Sequence, residues 1–80
     1  MLYARFMYPD GGWDSDIEHS KKAGLKVGER YEVEYISMGS WYTDVHLKDF
    51  KGHFNSVQFE FEEDDTPINI YDNPKYNPYI

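Results

Sequence analysis

Eighty residues without a cysteine leave room for one domain, with a core near the lower limit for folding without disulfides or structural metals. The formal charge of −7, from 15 Asp plus Glu against 8 Lys plus Arg, excludes general binding to phosphate backbones, which needs clustered cations. No run approaches the ~20 apolar residues of a membrane span, and the aromatic share of 19% makes ring packing the main source of stability.

Leu2 to Tyr8 alternates Leu2, Ala4 and Phe6 against Tyr3, Arg5 and Met7, which predicts a first strand with one face in the core. Pro9-Asp10-Gly11-Gly12 ends it in a turn, and Trp13 follows. Ser15 and Glu18 have the spacing of a capping box, so a helix of about two turns is expected over residues 15–23. Lys21, Lys22 and Gly24 suit its carboxyl end.

From Leu25 to Phe61 the period becomes two. Tyr31, Val33 and Tyr35 are expected inside and Arg30, Glu32 and Glu34 outside. Thr43, Val45 and Leu47 follow as a second inward row after the flexible link Ser37–Ser40. Val57, Phe59 and Phe61 form a third, opposed by Ser56, Gln58, Glu60 and Glu62. Three such runs describe a twisted antiparallel meander. Four successive carboxylates, Glu62 to Asp65, read as a solvated strand end. The remaining segment, 67–80, is rich in Tyr, Asn and Pro and reads as an extended tail beyond a single β domain of residues 1–66, with Ile68 and Ile70 in one last short strand. The expected fold is mainly β with one short helix, a small SH3-like antiparallel barrel or meander of about five strands.

The strings DSDIEHSKK, LKVGERYEVEYI, TDVHLKDF and FNSVQFEF resemble a group of small SH3-like proteins of Firmicutes and their phages. The resemblance covers roughly Tyr3 to Glu62 and leaves out the tail. It implies a phage or mobile-element protein acting in the cytoplasm of a bacterial host, where small non-enzymatic inhibitors of immunity are common. No catalytic residue carries over with it.

Three histidines, His19, His46 and His53, are the candidate general bases. His46 shares a strand face with Asp44, but no nucleophile elbow, phosphate loop or H-E-x-x-H is present. The spacing of His46, His53, Asp44 and Asp49 matches no established metal site. No catalytic residue, metal or cofactor is expected. Aromatic residues at interruptions of the meander are better candidates: Trp13 after the Gly-Gly turn, and Trp41 and Tyr42 after Met38-Gly39-Ser40. Exposed rings there suit a protein hot spot or a stacked base, although each Trp also suits covering an open barrel end. Asn55 and Ser56 open the last strand and either form an Asx turn or offer hydrogen bonds to a ligand. Arg5 is a candidate anion clamp, with an internal ion pair as its other use.

The expected function is a non-enzymatic binding protein, a phage-type inhibitor that sequesters a nucleotide immune signal or a host defence protein, with a homo-oligomer as one arrangement. Backbone amides of the Gly11-Gly12 and Gly39-Ser40 loops would serve any phosphates. The alternative is an assembly module that oligomerises through its tail and a sheet edge.

Overall fold

In the computed structural model, which describes residues 1–80, the alternating runs form one antiparallel sheet. Its strands are β1 (Leu2–Phe6), β2 (Arg30–Met38), β3 (Thr43–Leu47), β4 (Phe54–Asn55), β5 (Phe59–Glu63) and β6 (Thr66–Ile68), in the order β4-β3-β2-β1-β5-β6. One helix, α1 (Asp14–Ala23), follows β1. The mainly β class holds, but the barrel is not closed: β4 and β6 end the sheet without meeting. Strand β2 is shared between two partners. Its first residues pair with β1 through Tyr3↔Glu32, Ala4↔Tyr31 and Arg5↔Arg30, and Val33 to Met38 pair with β3.

The core draws on every strand except β6. Leu2, Ala4 and Phe6 of β1, Val33 of β2, Val45 and Leu47 of β3, Phe54 of β4, and Phe59 and Phe61 of β5 are buried with Ile70. Strands β1 and β3 keep strict alternation.

Strand β2 corrects the expected phase. Its register shifts between Val33 and Tyr35, so that Val33 pairs Leu47 while Tyr35 pairs His46. A bulge of one residue moves every later side chain to the other face. Ile36 and Met38 therefore pack against the core, whereas Tyr35 is turned out and stacks on His46 with centroids 3.9 Å apart.

The third expected run is likewise divided. Phe54 and Asn55 extend the meander beside β3, a 3-10 turn covers Ser56–Gln58, and β5 then crosses to pair with β1. The turn reverses the phase: Ser56 and Gln58 are buried and Val57 is 50% exposed. The Gln58 carboxamide donates to Pro9 O at 3.3 Å and Ser20 Oγ at 3.2 Å, tying the loop after β1 and the helix to the sheet.

The helix starts before the expected box. Gly12, at φ +82°, turns the chain. Trp13 then becomes the N-cap, its backbone N–H donating to Asp16 Oδ2 at 2.9 Å. An indole cannot accept the reciprocal bond, so only the carboxylate half of a capping box forms. Gly24 closes the helix in the left-handed conformation at φ +79°.

The acidic run is more structural than its composition suggests. Asp64 and Asp65, with φ of 51° and 66°, make the two-residue link between β5 and β6, a conformation that Asp tolerates. Glu62 receives Arg5 Nε at 2.9 Å and Arg30 Nη1 at 3.4 Å, and Arg30 also reaches Asp65 at 2.6 Å. The Arg30 guanidinium lies 4.1 Å from the centre of the Tyr3 ring. Hydrogen bonding from Arg5 holds the Glu62 carboxyl below the usual range, against the opposing effect of desolvation. Glu63 is lowered in the same way, first by Tyr76 and then by Lys75.

A carboxylate with a depressed folded-state pKa stabilises the fold above its unfolded value, about 4.3, and loses that contribution as pH falls through the folded value. Urea midpoints should therefore drop between pH 5 and 3. In Glu62→Gln the drop should be shallower, and an unchanged slope would show that Glu62 is not coupled to folding.

The segment after β6 packs back on the domain. Ile70, in a 3-10 turn over Ile70–Asp72, is 1% exposed. Three Asx turns organise the rest: the side-chain carbonyls of Asn69, Asn73 and Asn77 accept the amides of Tyr71, Lys75 and Tyr79, each at 2.9 Å. Lys75 and the Tyr76 hydroxyl both hold Glu63. No helix is long and apolar enough to cross a membrane.

Candidate functional site

Three interruptions of the sheet meet at one end of the molecule. They are the Gly11–Trp13 turn before α1, the Gly39–Tyr42 loop between β2 and β3, and the 55–57 break between β4 and β5. With Tyr71, Asn77 and Tyr79 of the terminal segment they surround a cleft of ≈ 740 Å³. None of its 15 lining residues is charged, although 29% of the chain is. The rings are poorly buried: Trp41 is 92% exposed, Trp13 65% and Tyr79 66%.

Local hydrogen bonds set this geometry. A Cβ at Gly12 would come 2.7 Å from Asp16 Oδ2, so only glycine lets the turn close on the helix start. Asp16 Oδ2 also receives the Asn55 carboxamide at 3.1 Å, and the Asn55 carbonyl accepts Val57 N–H at 3.2 Å. Asn55 thus locks the helix start to the strand break. Ser56 is buried, and its hydroxyl lies 2.5 Å from the Tyr71 hydroxyl. The Gly39 amide donates to Tyr42 O at 2.9 Å and the Gly11 amide to Tyr8 O at 3.0 Å. These two amides hold their own turns and are not free for an anion. What remains for a ligand is mainly the indole N–H groups of Trp13 and Trp41, the hydroxyls of Ser40, Tyr42 and Tyr79, and the ring faces.

Of the candidates named from sequence, Trp13, Trp41, Tyr42, Asn55 and Ser56 all line this cleft. Arg5 does not. It occupies the other face of β1 from Ala4 and Phe6, donating to Glu62 and, through Nη1 at 2.7 Å, to Gly28 O. Sequence reasoning passed over Val57, Tyr71, Asn77 and Tyr79. The recurring Asn-x-Tyr spacing at 69–71 and 77–79 was the available signal, since each Asn fixes the backbone two residues on.

None of the histidines lines this cleft, although His53 borders a smaller adjoining pocket with Trp13, Tyr42 and Asn55, and His19 stacks on Phe54. Asp44 Oδ1 is 3.6 Å from His53 Nε2, and the His46 ring stacks on Tyr35. No group of three His, Asp or Glu side chains is placed to hold a metal ion.

Comparison with known proteins gives one result. No curated protein and no solved structure matches the chain significantly, whereas a family model described as Bacteriophage T4 protein Y07B matches residues 1–80. With its entire length covered by that match, the chain belongs to the bacteriophage T4 Y07B family.

Proposed function

We propose that this phage protein is a non-enzymatic binding protein that sequesters a nucleotide immune signal in the aromatic cleft, inside the infected bacterium. The observation supporting this reading is an uncharged cleft with rings and neutral donors on a chain of net charge −7. Rings accept the π-face of any base, at about 1–3 kcal/mol per stacked base, and indole and phenol groups donate to base nitrogens and carbonyls. With no cation in the lining, the base or nucleoside supplies the grip and the phosphates point to solvent. One feature favours a protein target instead: Trp41, 92% exposed at a hairpin tip, has the character of an interface anchor. Assembly through the tail has less support, because β6 and Ile70 pack on their own domain.

Quenching of Trp fluorescence by a panel of nucleosides, linear nucleotides and cyclic dinucleotides tests the reading. Binding should weaken roughly 5- to 150-fold in Trp13→Ala or Trp41→Ala, the loss of one stacked base. Arg5→Ala should leave it unchanged. No quenching by any of these compounds up to millimolar concentration would refute nucleotide sequestration.

A further inference from the structure

The aromatic cleft has a smaller neighbour. A pocket of ≈ 250 Å³ adjoins it, and Trp13, Tyr42 and Asn55 line both. Whereas no charged residue lines the cleft, this side pocket has Asp16, Asp44 and His53 in its wall. Its two carboxylates differ in what they still offer. Asp16 Oδ2 already accepts the Trp13 amide and the Asn55 carboxamide, so it belongs to the helix start. Asp44 lies in β3 between the buried Thr43 and Val45, on the opposite face of the strand and across from Asn55 of β4. Its side chain is only 22% exposed, and the imidazole Nε2 of His53, 3.6 Å from Oδ1, is beyond hydrogen-bond range.

A carboxylate largely withdrawn from water, with no donor bonded to it, is an acceptor with both oxygens open. Its surroundings restrict what can reach it. Phosphate is repelled by the same charge, and an apolar group would leave the carboxylate desolvated and unpaired. Paired N–H donors on a flat edge fit best, because a carboxylate accepts two parallel bonds. Since Trp13 and Tyr42 line both cavities, a base lying on either ring can turn one edge into the side pocket while its sugar leaves through the wider cleft.

We propose that the base held in the cleft is guanine, with Asp44 accepting its N1–H and 2-amino N–H together. This specificity rests on the nucleotide reading of the cleft and gives it a base preference. Guanine is the base whose Watson–Crick edge carries two adjacent donors. Adenine and cytosine each place one amino group beside a ring nitrogen that is itself an acceptor, and uracil sets its single N–H between two carbonyls, so each would meet the carboxylate with at least one repulsive contact. The His53 imidazole, 56% exposed on the rim beside Asp44, can donate to the guanine O6. An arginine guanidinium offers the same donor pair, but it would fill little of the ≈ 740 Å³ cleft next to it.

NMR titration of the backbone amides with the 5′-monophosphates of guanosine, inosine, adenosine, cytidine and uridine, and with arginine amide, tests it. The guanosine compound should bind tightest, by about 5- to 150-fold over the adenosine compound. The inosine compound, which keeps N1–H and lacks the 2-amino group, should fall between them, a comparison that needs no variant. Asp44→Asn exchanges one acceptor for a donor and should bring the guanosine-to-adenosine ratio to within about threefold of one. Equal binding of the guanosine and adenosine compounds overturns the guanine specificity and leaves the nucleotide reading standing. A preference that survives Asp44→Asn also overturns it, as does arginine amide binding as tightly as the guanosine compound, which would give the side pocket to a peptide guanidinium. Absence of any shift with all five nucleotides up to millimolar concentration removes the nucleotide reading and the guanine specificity with it.

Discussion

Phe54→Ala is expected to remove about half of the stability of the fold. The ring is 2% exposed, sits 4.6 Å from His19 by centroid, and meets Phe50 and Phe59 edge-on at 6.1 and 6.3 Å. It joins the helix, the meander and the crossing strand at one point. Replacing a buried Phe with Ala costs about 3–5 kcal/mol, while a chain of this length has about 4–12 kcal/mol in total at 0.05–0.15 per residue. Urea denaturation should show a midpoint reduced in proportion to that loss, with the slope kept. Val57→Ala provides the comparison. The simple alternation of the sequence makes Val57 a core residue, yet it is half-exposed, and its truncation should cost no more than about 0.5 kcal/mol. A large loss at Val57 with a small one at Phe54 would mean that the strand keeps the straight register.

The contrast between these two residues shows where the sequence could and could not be read. Residues 2–6 and 43–47 alternate cleanly because nothing interrupts their ladders. In β2 the inward positions are 31, 33, 36 and 38, an uneven spacing that signals a bulge only when tertiary partners are known. The switch at 55–58 is harder to see. Asn55 caps the 3-10 turn through its side chain, and the two polar residues it turns inward, Ser56 and Gln58, find partners in Tyr71 and Ser20 far along the chain. Binary pattern cannot anticipate buried polar residues whose partners are so remote in sequence.

The same limit applies to the cleft. Glycine-flanked aromatic residues at 13 and 41–42 stand out because large rings after flexible turns are poorly placed for a core. Their convergence with residues 55 and 56 was legible as a set of candidates, but not as one place. The wall formed by Tyr71, Asn77 and Tyr79 depends on the tail folding back, and the energy for that comes largely from Ile70. Ile68 and Ile70 read from the sequence as one short strand, and their alternation does not show that Ile70 leaves it to enter the core. Arg5 shows the converse case: an arginine on a strand is equally apt for a ligand anion or an internal carboxylate, and only folding brings it diagonally onto Glu62, the residue opposite Tyr3 in the β1–β5 pair.

Truncation after Asn69 should therefore unfold the domain instead of merely freeing a tail. It removes Ile70, whose reduction to Ala alone costs about 2–5 kcal/mol. It also removes Tyr71, leaving the buried Ser56 hydroxyl without its partner at about 1–3 kcal/mol. The contacts of Lys75 and Tyr76 with Glu63 go as well. Together these approach the whole stability of an 80-residue chain. The truncated protein should lack a cooperative urea transition at 25 °C, and in the full chain Ile70→Val should lower stability by only about 0.5–1.5 kcal/mol. A truncated chain with the midpoint of the full protein would show that residues 70–80 do not belong to the core. The consequence for function is specific. Loss of binding or assembly on deleting the tail would report unfolding, so it cannot separate a ligand cleft from an assembly arm. Tyr79→Ala can, because Tyr79 is 66% exposed and lines the cleft. It should weaken ligand binding while the urea midpoint stays as it is.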